Sequence, residues 1–201
     1  MTTGTMGRRE RNKAEKRERI ASAAAALFAR RGFGATTTGQ VAADADVAEG
    51  TVFRYAATKT ELLLMVLNEQ LEPLLRAGSR QAHEQTSPEE AILTVFAPIL
   101  DLFDHQEENA ALFMREVLFG DDGPHRRASL ALIDELVAEI ARILQPMEPG
   151  LPEELDLDEA AHWVFSALVT EVMRGLLDQR HGAERQRVLR GRVRILLRGL
   201  A

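Results

Sequence analysis

The chain predicts an all-α protein of about nine helices, and three observations carry that prediction. Apolar residues recur at helical spacing along almost the whole length beyond residue 10. Helix-start chemistry repeats at Thr37-x-x-Gln40, at Thr58-x-x-Glu61 and at Ser87-Pro88-Glu89-Glu90, each with a hydroxyl at the cap and an acid or amide three residues on. No stretch alternates apolar and polar residues convincingly enough to form a half-buried strand. The connections are short, which implies antiparallel neighbours and hence a bundle.

In order, residues 1–9 lack periodicity and are expected to form a disordered arm. Arg8, Arg9, Arg11 and Lys13 could offer it cations for phosphates or a minor groove. Glu10 to Arg31 is helical, with Ile20, Ala23, Ala24, Leu27 and Phe28 on one stripe and Gly32 as a left-handed stop. Thr37 and Gln40 open a short helix with Val41, Ala42 and Ala45 on its apolar side. The chain turns at Asp46-Val47, and a second short helix runs from about Glu49 to Tyr55. Two short helices joined by a tight turn form the helix-turn-helix signature, whose second helix enters the major groove of DNA.

Thr58 caps a long helix reaching Gln85, interrupted or bent near Pro73. The next runs from Ser87 to about Asp104, with a possible kink at Pro98. Asn109–Phe119 ends at Gly120-Asp121-Asp122-Gly123, and Pro124–Leu144 leads into a loop at Gln145–Pro152. Asp156 or Asp158 caps a helix reaching about Gln179, ended by His181-Gly182, and Ala183–Arg198 is the last. The expected division is an arm (1–9), a helix-turn-helix domain (10–57) and a ligand-binding and dimerisation domain (58–201).

Composition narrows the function. With 201 residues, 45% of them apolar, the chain can bury a core, and without cysteine it has neither disulfides nor thiolate metal sites. No apolar run approaches the roughly 18–20 residues of a membrane span, and the N-terminus lacks the apolar segment of a signal peptide, so a cytoplasmic location is expected. The net charge is −6, yet residues 1–60 hold eleven Lys/Arg against six Asp/Glu, leaving the acidity to the body. A basic end on an acidic body is what a protein needs when only one end meets phosphate. There is no Gly-x-Ser-x-Gly elbow, phosphate-cradling glycine loop or His-Glu-x-x-His, and the five histidines are scattered. No enzyme activity, cofactor or metal is expected.

The order Gly32-Phe33, Ala35, Thr37, Val41-Ala42, Ala45, Val47, Gly50-Thr51, Phe53-Arg54-Tyr55, Lys59 and Leu62 resembles the DNA-binding domain of TetR-type (tetracycline-repressor-like) transcriptional regulators. The resemblance covers roughly residues 16 to 63. It implies nine helices, a three-helix DNA-binding domain, a homodimer on a near-palindromic operator, repression as the usual mode, and a small-molecule effector that shifts the two DNA-binding domains. Four departures stand out: Asp46 for a usual Gly, Ala48 for a common capping Ser, Phe53 for a frequent Tyr, and Ala56-Ala57 for a frequent Phe-Pro.

A recognition helix here presents Ala48, Glu49, Thr51 and Arg54 to base edges, with Gly50 allowing close backbone approach. Thr51 offers a hydroxyl and a methyl, Glu49 an acceptor for a cytosine amino group, and Arg54 a clamp for phosphate or guanine. Tyr55 and Lys59 suit phosphates, and Thr37, Thr38 and Gln40 are further backbone candidates; Phe53 completes the set. In the body, Met65, Phe96, Leu100, Phe103, Phe113 and Trp163 are candidate walls of an effector pocket. His105, Glu116 and Glu171 are its candidate polar groups, and Arg115 and His162 are weighed with them. An apolar or amphipathic effector is expected. The last two helices present Val164, Ala167, Leu168, Val172 and Gly175, and Leu189, Val193 and Leu196, which the resemblance assigns to the dimer interface. Arg187, Arg190, Arg194 and Arg198 form a basic stripe read as solvated or ion-paired. The competing reading is a helical ligand-binding or interaction module without specific DNA binding.

Overall fold

The computed structural model describes residues 7–151, 155–178 and 182–200; residues 1–6 of the expected arm, with Pro152, Gln179 and His181, lie outside them. Among the described residues there are nine α-helices, one 3-10 turn and no strand. They are α1 (Arg8–Ala35), α2 (Thr38–Asp44), α3 (Glu49–Phe53), α4 (Lys59–Ala82), α5 (Pro88–Asp104), α6 (Glu107–Phe119), α7 (Pro124–Leu144), the 3-10 turn Gln145–Gly150, α8 (Leu157–Asp178) and α9 (Gly182–Gly199).

Several boundaries differ from the sequence reading for identifiable reasons. Arg8 and Arg9 are helical, not part of a free arm. The segment Arg8–Arg19 has no buried face, so apolar periodicity cannot mark it, yet Arg, Glu, Lys and Ala favour the helix intrinsically. Gly32 does take a positive φ (76°), and the helix resumes briefly beyond it to Ala35. The helix α3 ends at Phe53, and the expected loop at 145–152 holds the 3-10 turn. Both internal prolines sit within continuous helices: Pro73 lies between the buried Leu71 and Leu75, and Pro98 between Phe96 and Ile99. Packing on both sides outweighs the roughly 3 kcal/mol that an interior proline costs. Asp156, rather than Asp158, caps α8, accepting from the Glu159 amide at 2.8 Å.

The helix α4 is the hub, packed against α1, α5, α6 and α7. Its run Leu62–Leu67 is buried almost completely, because it is covered from several sides at once. At Gly78 a Cβ would stand 2.9 Å from the Val95 Cα, so glycine lets α4 and α5 approach backbone to backbone. The last helix is fastened ionically. Arg190 meets Glu89 and Glu90, Arg194 meets Glu89 at 2.8 Å, Arg192 meets Glu171, and the buried Arg185 meets Asp104 while donating to the Glu171 carbonyl. Burial pushes the Arg185 guanidinium pKa down, and its ionic partner is what keeps such a charge tolerable. Two members of the basic stripe, Arg190 and Arg194, are thus ion-paired to α5.

Candidate nucleic-acid interface and effector cavity

The segment α2–turn–α3 is built from its caps outward. Thr37 accepts from the Gln40 amide at 3.2 Å while the Gln40 side chain accepts from the Thr37 amide at 3.0 Å, a complete capping box. Both side chains are therefore engaged in holding α2. The turn needs a left-handed residue, and Asp46 supplies it with φ 50°, one of the few non-glycine types that tolerate this region. Arg19 of α1 donates to the Asp46 carbonyl at 2.7 Å and steadies the bend.

Only Val52 of α3 is buried; Glu49, Gly50, Phe53 and Arg54 are exposed and Thr51 half-exposed, which leaves the helix accessible along most of its surface. Ala48 starts it without a side-chain cap. Glu49 is tied down: the Thr38 hydroxyl donates to its carboxylate at 2.7 Å, bracing α2 against α3. Lys59 is also occupied, donating to the Gly34 carbonyl at 3.3 Å with its ammonium 4.2 Å over the Phe33 ring. Tyr55 is half-buried and its hydroxyl donates to the Lys13 carbonyl at 3.1 Å, placing the Lys13 turn beside the end of α3. Among the described residues, the side chains of Arg54 and Thr51 are thus the polar candidates on this helix and its end that no intramolecular bond engages.

Further ties, besides that of Lys59 to Gly34, join this unit to the body. Arg17 pairs with Glu69 of α4 at 2.8 Å. Burial lifts the Glu69 carboxyl above its ordinary value despite that arginine. The Glu108 carboxylate of α6 accepts from the Gly34 amide at 2.8 Å, and a Cβ at Gly32 would collide with it. His125 Nε2, in the first turn of α7, lies 2.8 Å from the Tyr55 carbonyl. None of Glu69, Glu108 and His125 stands out in the sequence, because each acts on a backbone or charge distant along the chain.

The body holds a partly open cavity of about 130 Å³ between α4, α5, α6, α7 and α8. Phe96, Leu100, Phe103 and Phe113 line it as expected wall residues, joined by Met114, Leu132, Leu136 and Phe165 among others. The other five pocket candidates do not. Met65 is wholly buried away from it, His105 is exposed and bonded to the Asp101 carbonyl, and Glu116 pairs with Arg115. Trp163 is turned to the outside, and Glu171 is consumed by Arg192. His162 is exposed as well. Among the described residues the wall is apolar apart from Ser129.

The expected dimer residues lie largely inside this chain. Val164, Leu168, Val172, Gly175, Leu189 and Val193 are buried within this chain, with Ala167 and Leu196 half-buried. The outward stripe of α8 is Trp163, Ser166, Thr170, Met173 and Leu177, and on α9 it passes through Ile195; Leu177 is 77% and Ile195 72% exposed. Both stripes of α8 carry large apolar residues, so periodicity marks two faces without saying which one faces the chain itself.

The family described as bacterial regulatory proteins, tetR family, matches residues 20–66. The HTH-type transcriptional regulator HbdR of Aromatoleum sp. is 30% identical over 101 residues, 50% of this chain and 44% of the relative. The HTH-type transcriptional repressor KstR2 of Mycolicibacterium smegmatis is 25% identical over 103 residues, 51% of this chain and 50% of the relative. The matches thus span about half the length of these two curated relatives. Among solved structures, Thermus thermophilus FadR, a TetR-family transcriptional repressor in complex with lauroyl-CoA, superposes with a TM-score of 0.72 at 27% identity, over 92% of this chain and 95% of that one. With α3 exposed and nine helices among the described residues, residues 20–66 match the tetR family of bacterial regulatory proteins, and the chain as a whole is similar in fold to Thermus thermophilus FadR.

Proposed function

We propose that the chain is a cytoplasmic, ligand-responsive DNA-binding repressor, not an enzyme, that acts as a homodimer on a near-palindromic operator. The observation that carries this reading is a recognition helix exposed on nearly every side, standing on a body that holds an apolar cavity. Thr51 and Arg54 meet bases and phosphates, with Gly50 admitting the backbone closely, while Thr37, Gln40, Glu49 and Lys59 hold the motif in shape. The DNA-binding unit is residues 10–57, extended by the helical turn from Arg8, and the rest binds ligand and dimerises. The outward stripe from Trp163 to Leu177, with Ile195, pairs with its mate across a twofold axis; a helix apolar on both faces needs cover on both.

The effector carries an apolar chain. The lauroyl-CoA bound by Thermus thermophilus FadR supplies the class, a fatty acyl thioester. Leu75 is shared between the cavity and an open groove lined by Arg76, Arg80, His83 and Arg142, with Glu135 and Glu139 among them. An anionic head emerging past Leu75 meets Arg80, whose neighbours are already paired, Arg76 with Glu72 and Arg142 with Glu139.

The test is selection of bound fragments from a random duplex pool, followed by titration with lauroyl-CoA. An inverted repeat with half-sites roughly 34–36 Å apart, or a multiple of that, is expected, and its affinity should fall about tenfold or more with the acyl thioester. Recovery of no preferred inverted repeat sinks the DNA reading, and an unchanged affinity with lauroyl-CoA sinks the acyl reading.

A further inference from the structure

Ser129 is the one polar residue in the cavity wall among the described residues, and it is buried. Its hydroxyl has a single hydrogen and two acceptors within reach: Asn68 Oδ1 at 2.8 Å and the His125 carbonyl at 3.0 Å. Asn68 stands buried in the apolar run of α4 and donates its own amide to that same carbonyl at 2.8 Å. From the same residue the imidazole reaches across to the Tyr55 carbonyl. A carbonyl only accepts, so Nε2 carries the proton. Tyr55 lies just past the end of the recognition helix, where carbonyls lack partners inside the helix and need them from elsewhere. The backbone amide of His125 is held in turn, donating to Glu61 at 3.3 Å.

The helix α7 carries both ends of this chain of contacts. His125, Ser129, Leu132 and Leu136 follow at helical spacing along one face. The first holds α3; the other three wall the cavity. A cavity near 130 Å³ is about the size that accepts one benzene ring, so a long hydrocarbon chain enters only as the walls part.

We propose that α7 is the lever of the response, and that Ser129, Asn68 and His125 form the linkage by which an occupied cavity withdraws the tether on the recognition helix. Displacing α7 carries His125 away from the Tyr55 carbonyl, and α3 loses its fixed end. The linkage rests on the ligand-responsive reading for its purpose, but its mechanics are testable without ligand or DNA.

Hydrogen exchange on the full chain gives the first arm. In Ser129→Ala, amides of residues 52–57 are expected to exchange about tenfold faster, although the substitution lies on the cavity wall, while α9 keeps its protection. In His125→Phe, which keeps a ring and removes the donor, the same amides loosen. His125→Gln, whose amide N–H can still donate, restores them. Unchanged exchange at 52–57 in Ser129→Ala overturns the linkage whatever the effector is. The second arm titrates lauroyl-CoA against the selected operator. The loss of DNA affinity in the unsubstituted chain is expected to shrink to less than about twofold in His125→Phe, with lauroyl-CoA still bound by calorimetry. Equal losses in both overturn the linkage and leave the reading of a ligand-responsive regulator intact. A chain that does not respond to lauroyl-CoA refutes the acyl reading, and the exchange experiment alone then decides the linkage.

Discussion

Single positions decide what the chain can do where backbone or charge has no slack. Gly78 is one: the facing Val95 Cα leaves no room for a methyl group, so Gly78→Ala is expected to lower stability by about 1–3 kcal/mol, read from denaturant midpoints. Arg54 is another, because it is exposed at the end of α3 and forms no ion pair among the described residues. Replacing it with alanine should weaken operator binding about tenfold and reduce the slope of log affinity against log salt by about one, with unchanged circular dichroism. A loss with no change of slope would assign it to a base instead. At this scale the sequence is legible where local chemistry suffices. The capping box of Thr37 and Gln40 follows from residue type, and the positive φ of Asp46 fits the glycine that the resemblance puts there, Asp being a residue that tolerates it. The roles of His125, Ser129 and Glu108 do not, because their partners lie 61 to 74 residues away along the chain. Asn68 alone carried a signal, an amide inside the run Leu62–Leu67 and Leu71.

Helices were legible by existence and not by the face they turn inward. Their number emerges from periodicity and caps, while the start of α1 does not, since its first turns bury nothing. For α8 the difficulty is different: two apolar stripes compete, and only packing shows that Val164, Leu168 and Val172 belong inside and Trp163, Met173 and Leu177 outside. The fastening of α9 to α5 rests on charge and depends on pH. The hydrogen bond from Arg194, aided by its charge and that of Arg190, holds the Glu89 carboxyl below its ordinary value of 4.5. A carboxylate depressed on folding adds stability that is complete above its unfolded pKa and lost as pH falls through the lower folded one. Glu89→Gln is therefore expected to lower the Tm at pH 7 by about 1–3 °C, a modest effect because exposed pairs contribute little. That gap should close as the pH drops below 4.5; a gap that persists in acid would mean lost packing rather than lost charge.

At the scale of the whole molecule, the proposed homodimer depends on the exposed stripe of Trp163, Met173, Leu177 and Ile195. Introducing a charge there, as in Ile195→Glu, is expected to shift sedimentation from dimer to monomer, with a cost of about 2 kcal/mol or more if the position is central. Operator affinity should fall with it, because a single copy presents only one recognition helix. A variant that stays dimeric and binds normally would move the interface elsewhere. The interior has a mechanical consequence of its own. Space that is neither filled by side chains nor congenial to water shrinks the volume on unfolding, by some 20–100 mL/mol in ordinary proteins, and so makes the native form yield to hydrostatic pressure. Compressed without effector, this chain should lose its structure at a lower pressure than when a hydrocarbon tail plugs the hollow beside Ser129, which would make pressure a gauge of occupancy that requires no DNA at all.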